Sequence, residues 1–82
     1  MEPIILSDNT ELDSYKATGL AEGFIESDDS MDILKAWSYL GQSGLAFQLQ
    51  GWFGRNLESL VESGYLNQDY TVNYSRLMED QL

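Results

Sequence analysis

The chain has 82 residues, enough for one small domain, and a domain of that size buries only about 60% of its unfolded surface, so its core is limited. Fourteen acidic residues against four basic ones give a net charge of −10, and His and Cys are both absent. Disulfides, thiolate chemistry, the usual zinc sites and the commonest general base are thereby excluded. An apolar content of 43%, with 12% aromatic residues, exceeds what a disordered chain carries, so a folded body with an acidic fringe is expected.

The acidity is concentrated at the ends. Net charge is −8 over residues 1–32, zero over 33–68 and −2 over 69–82. Met1 to Ser7 contains no basic residue and only three consecutive aliphatic ones, which predicts neither a signal peptide nor an anchor. No stretch approaches the ~18 apolar residues of a bilayer span, so a cytoplasmic protein with no membrane partner is expected.

Residues 1–13 hold turn formers and acids after Ile4-Ile5-Leu6 and show no helical period. They read as an acidic extended arm with the aliphatic triplet tucked against the body. From Ser14, an expected N-cap, Ala17, Leu20, Ala21 and Phe24 recur at helical spacing and predict a helix from Tyr15 to Ile25. Ser27-Asp28-Asp29-Ser30 is a strong start signal for a second helix, Ser30 to Gln42, carrying Ile33, Leu34, Trp37 and Leu40 on one face.

A third stripe, Leu45, Leu49, Trp52, Phe53, Leu57, Leu60 and Val61, predicts a helix from Leu45 to Ser63 that Gly51 and Gly54 bend or divide. Gly41 or Gly44 can end the second helix and Gly64 the third. These elements predict an all-α fold of three helices within residues 14–66, followed by a partly ordered tail over 67–82. In that tail, Asp69 to Tyr74 alternates like a strand, and Ser75 to Gln81 equally suits a last helical turn or two.

Four strings carry a family resemblance: Ala36-Trp37-Ser38-Tyr39-Leu40, Ser43-Gly44-Leu45-Ala46, Leu49-Gln50-Gly51-Trp52-Phe53-Gly54-Arg55 and Leu60-Val61-Glu62-Ser63-Gly64. Together with Ala21-Glu22-Gly23-Phe24 they resemble a family of small tailed-bacteriophage proteins that carries no established activity. The resemblance covers about residues 19–66. It implies a phage or prophage origin, an accessory role and a location in the cytoplasm of the infected bacterial host.

No arrangement of side chains supports a named reaction, and a non-enzymatic protein without cofactor or metal is expected. The acidic strings Asp8-Asn9-Thr10-Glu11-Leu12-Asp13 and Asp28-Asp29-Ser30-Met31-Asp32 lack the glycine and the distant bidentate glutamate of a calcium loop. A sugar cleft between paired carboxylates finds little room in a domain this small. Direct nucleic-acid binding is opposed by the charge, since counterion release requires cations.

The expected role is binding and modulation or inhibition of a host protein with a basic surface, including mimicry of nucleic acid by carboxylates. Glu22, Glu26, Asp28, Asp29 and Asp32 are the expected acidic contacts; Phe47, Trp52 and Arg55 are the contacts expected from the aromatic and glycine-rich segment. Each has a plainer reading. The acids also serve solubility, the aromatics fill a small core, Arg55 tethers Glu58 or Glu62, and the glycines allow two backbones to pack closely. The alternative function is a self-associating assembly subunit that uses the aromatic segment as its interface.

Overall fold

A carboxylate opens each of the first two helices. Asp13 Oδ1 accepts the Lys16 N–H at 2.8 Å and Asp29 Oδ1 accepts the Met31 N–H at 2.9 Å, so each satisfies an orphan donor of its first turn. Helix α1 (Ser14–Glu22) and helix α2 (Ser30–Gln42) follow. The N-cap of α1 is thus Asp13, one residue before the Ser14 expected from the sequence. The computed structural model describes residues 2–76, and these form a small all-α domain completed by a 3-10 turn (Leu45–Phe47) and helix α3 (Gly51–Glu62).

α1 stops earlier than its apolar stripe predicts. Gly23 takes a left-handed conformation (φ 87°) that ends the helix, leaving Phe24 beyond the cap and 82% exposed. Ile25 covers the helix in its place: its N–H donates to Gly19 O at 3.1 Å, and its side chain occupies the space where a Cβ on residue 19 would stand. A glycine that weakens a helix by about 1 kcal/mol therefore makes room for the chain reversal.

The third stripe is divided rather than bent. Gln48, Leu49 and Gln50 separate the 3-10 turn from α3, while Phe53 and Leu57 still enter the core and Leu49, Trp52, Leu60 and Val61 pack against it. Gly64 (φ 85°) closes α3 as expected: its N–H reaches Val61 O and the Tyr65 N–H reaches Leu60 O, the paired bonds of a Schellman cap.

Residues 4–12 of the segment read as an arm and 67–73 of that read as a tail belong to the same body. Residues 4–12 (hairpin 1) and 65–73 (hairpin 2) each form a short β-hairpin with a single antiparallel bridge, Ile5 to Glu11 and Leu66 to Val72. The two match bond for bond at a separation of 61 residues. Leu6 N–H to Thr10 O, Asn9 N–H to Leu6 O and Leu12 N–H to Ile4 O recur as Asn67 to Thr71, Tyr70 to Asn67 and Asn73 to Tyr65.

In each turn an aspartate (Asp8, Asp69) accepts the N–H and hydroxyl of the threonine two positions on. Those bonds hold both carboxyls below the ordinary carboxylate range. In each the loop closes through a left-handed residue, Asn9 (φ 68°) or Tyr70 (φ 70°). Leu6, Leu12 and Leu66 carry these hairpins into one core with Leu20, Trp37, Leu40, Phe53 and Leu57. The reading of residues 1–13 as an extended arm is thereby corrected to a hairpin, while the triplet does tuck against the body through Ile4 and Leu6, and with Leu12 and Leu66 these residues outside the main helices supply part of the core. Residues 74–76 begin a helical turn, and the rest of the expected final turn over Ser75 to Gln81 lies outside the described residues.

α2 is the central element, and both of its faces are used. Its polar stripe, Asp32, Lys35, Ser38 and Gln42, holds the hairpins. Lys35 Nζ donates to Ile5 O at 2.9 Å, Ser38 Oγ to Tyr70 O at 2.7 Å, and Gln42 Nε2 to Ser38 Oγ at 2.8 Å. On the opposite side, Trp37 meets Trp52 edge-on at 6.0 Å and Phe53 at 5.8 Å, while Trp52 and Phe53 stack at 4.0 Å.

The glycines do not share one role. A Cβ on Gly41 would stand 2.7 Å from Tyr70, so this position is closely packed, whereas a Cβ on Gly54 would meet only Phe47 Cδ1 at 3.9 Å. Close helix crossing therefore accounts for neither Gly54 nor the exposed Gly51, where only the Arg55 guanidinium is near. Gly54→Ala is expected to stabilise the protein by about 1 kcal/mol through helix propensity, read as a raised midpoint in urea unfolding.

Candidate functional site

The expected acidic contacts divide into two groups. Glu22, Glu26, Asp28 and Asp29 are exposed, as are Glu2, Asp8, Glu11 and Asp13. Asp32 is not: it is 4% exposed, and its carboxylate is held inside the fold. Ser7 donates its N–H to Oδ1 at 2.9 Å and its hydroxyl to Oδ2 at 2.6 Å, and the Ser27 hydroxyl reaches Oδ2 at 2.8 Å. Burial raises its pKa, but the hydrogen bonds from Ser7 and Ser27, with the charge of Lys35 nearby, outweigh burial and bring it below the ordinary value. The assignment of Asp32 to a partner surface is corrected on these grounds. It ties hairpin 1 and the α1–α2 linker to α2.

Asp8, Glu26 and Asp28 line a cleft of about 400 Å³ between hairpin 1 and the linker, together with Leu6, Leu20, Ile25 and Lys16. Tyr15, 80% exposed, lines the same cleft. In the sequence Asp8 stands out only as part of a calcium-loop string, and Tyr15 and Lys16 do not stand out; the hairpin brings Asp8, and α1 brings Tyr15 and Lys16, beside the linker. Among the described residues no cluster of three acids is placed to hold a metal ion. Their oxygens turn instead to local donors: Asp8 to Thr10, Asp13 to Lys16 and Asp29 to Met31.

The aromatic candidates lie away from this cleft. Phe47 is 54% exposed, its ring 5.9 Å from that of Tyr70. Trp52 is half-buried in the aromatic cluster with Trp37 and Phe53, so most of its surface serves packing. Arg55 is exposed and its guanidinium lies back along α3 over Gly51. None of the three lines the acidic cleft.

A second concave surface was not anticipated. Between α2 and α3, Met31, Ile33, Leu34, Trp37, Leu60 and Tyr65 line an apolar groove of about 310 Å³. Ile33 is 39% exposed although it falls within the apolar stripe of α2. The sequence signal for this groove is the width of that stripe, which exceeds what one neighbouring helix can cover.

No described helix is long and apolar enough to cross a membrane. Comparison with protein-family models, curated proteins and solved structures gives no match.

Proposed function

We propose that this protein is a non-enzymatic phage accessory protein that binds a host protein and modulates or inhibits it, its N-terminal acidic face meeting a basic surface. One observation carries the reading: every acid of residues 2–29 is exposed, and Lys16 is the only base among them. Such a single-sign field accelerates encounter with a cationic surface and selects for one. A nucleic-acid-binding groove is the basic surface that a carboxylate array fits best, because it already accepts closely spaced phosphates.

Self-association through the segment of Phe47, Trp52 and Arg55 is the competing reading, favoured by the exposure of Phe47 and Arg55. Against it, each copy brings a charge of −10 to the contact.

The test is capture from a bacterial lysate with the full-length protein as bait, beside a variant carrying Asp8→Asn, Glu26→Gln, Asp28→Asn and Asp29→Asn. Asparagine retains the turn and cap acceptors at 8 and 29, so the fold is expected to persist. A basic protein retained by the wild type, released by raised salt or duplex DNA, and held at least tenfold less by the variant is the expected outcome. Equal retention by both baits would reject the acidic face as the binding surface.

A further inference from the structure

We infer that Phe24 is the apolar anchor of the acidic face and enters a pocket of the partner that is apolar inside and bordered by Lys or Arg; this rests on the proposal that the partner is basic. Phe24 is the most exposed large hydrophobic side chain among the described residues. Its spacing from Ala17, Leu20 and Ala21 puts it on the apolar stripe of α1, yet the helix ends at Glu22, before that stripe can bury it. Ile25 takes the covering position, so the fold turns the aromatic ring out and an aliphatic side chain in.

The backbone on either side of the ring is fixed. Gly23 is held left-handed at the cap, and the Ile25 N–H donates to Gly19 O at 3.1 Å while its side chain lies over Gly19. An aromatic residue on a fixed turn loses little main-chain freedom on binding, which suits it as an interface anchor. Ile5, Ile33 and Phe47, by contrast, are each partly covered by their own fold, as scattered surface apolar residues commonly are.

Charge selects the pocket. Glu22 and Glu26, both exposed, stand two residues to either side of Phe24, and two residues of chain span at most about 7 Å, so both carboxylates stay near the ring. Glu26 also lines the acidic cleft with Asp8 and Asp28, where Lys16 is the one base. A pocket bordered by acids or phosphates, or the acidic face of a second copy, would meet like charge. One bordered by Lys or Arg meets opposite charge on both sides of the ring.

The experiment titrates full-length protein with an amine-substituted β-cyclodextrin, a host whose cavity admits a phenyl ring and whose rim is cationic, beside neutral β-cyclodextrin. Calorimetry and the NMR signals of the Phe24 ring supply the readouts. The cationic host is expected to bind at least tenfold more tightly than the neutral one and to shift those signals. Phe24→Ala is expected to weaken that binding at least tenfold with the urea midpoint unchanged, and Phe47→Ala to leave it unaltered. Glu22→Gln combined with Glu26→Gln is expected to reduce the preference for the cationic host. Equal binding by Phe24→Ala, or equal affinity for the two hosts, overturns the anchor. A lowered midpoint in Phe24→Ala would place the ring within the fold and overturn it too.

In the lysate comparison, Phe24→Ala is expected to hold the basic protein at least tenfold less than the wild type does. Equal retention by Phe24→Ala, with retention lost in the variant neutralised at 8, 26, 28 and 29, overturns the anchor and leaves the acidic-face proposal intact. Equal retention by every bait rejects both. A dimer in sedimentation that Phe24→Ala dissolves would assign the ring to a second copy and overturn the anchor equally.

Discussion

Asp32→Ala is expected to destabilise the protein by about 3–4 kcal/mol in urea unfolding, a large fraction of the roughly 4–12 kcal/mol that a domain of this size commands. The carboxylate accepts three hydrogen bonds from two segments distant in sequence, Ser7 of hairpin 1 and Ser27 of the linker. Bonds to a charged acceptor contribute about 1.5–3 kcal/mol each, less when they act together, and alanine also leaves the Ser7 N–H without its acceptor. Asp32→Asn keeps one oxygen and the shape, and its loss is expected to be about half as large.

The same carboxylate sets an acid limit. Its pKa in the folded protein is below the ordinary 3.8, so its contribution is complete above that value and is lost as pH falls through the folded pKa. Asp8 and Asp69 are lowered too and act with the same sign. Unfolding midpoints measured downward from pH 5 should therefore fall most steeply below pH 3.8 in the wild type, and less steeply in Asp32→Asn. A wild-type midpoint indifferent to pH across that window would remove Asp32 as the anchor.

Gly41→Ala is expected to destabilise by about 2 kcal/mol, although alanine is the better helix former. A Cβ at residue 41 would lie 2.7 Å from both Tyr70 Cβ and Cγ and 3.1 Å from Leu57 Cδ1. Tyr70 has little room to yield: its backbone is left-handed at φ 70°, its carbonyl accepts from Ser38, and its ring lies against Phe47. Left-handed backbone costs a bulky residue about 1–2 kcal/mol, and the packing of Tyr70 on Gly41 holds it there. Overpacking of up to about 3 kcal/mol against about 1 kcal/mol of regained helix propensity gives the net figure. Set beside the stabilisation expected for Gly54→Ala, opposite signs in two glycines of helices separate a packed position from an open one. Stabilisation by both would mean that hairpin 2 is not seated on α2.

Exposure was legible for part of the candidate surface, residue by residue. The acids Glu22, Glu26, Asp28 and Asp29, named from charge alone, are exposed, and so is Phe47, named from the aromatic and glycine-rich segment. Asp32 was misread with them, for nothing in Asp28-Asp29-Ser30-Met31-Asp32 distinguishes the acid that faces inward. Its partner Ser7 lies 25 residues away. The cleft at Asp8 and the groove at Ile33 escaped for the same reason, since each is bounded by elements far apart in the chain.

What the sequence determined by itself was what depends on neighbours along the chain: three helices, the carboxylate before α2, the cap at Gly64, and a core built on Trp37, Phe53 and Leu57. Caps satisfy donors within one turn, and a helical stripe repeats every three or four residues, so both are written locally. Only the tertiary structure decided that residues 4–12 and 65–73 are matched hairpins, that Gly41 is packed while Gly54 has room for a Cβ, and that one acid among the nine of residues 2–32 is a core anchor. Those outcomes rest on bonds between residues 25 to 32 positions apart, Ser7 to Asp32, Lys35 to Ile5 and Ser38 to Tyr70. A donor and an acceptor that meet only after the helices pack leave no periodic trace in the chain.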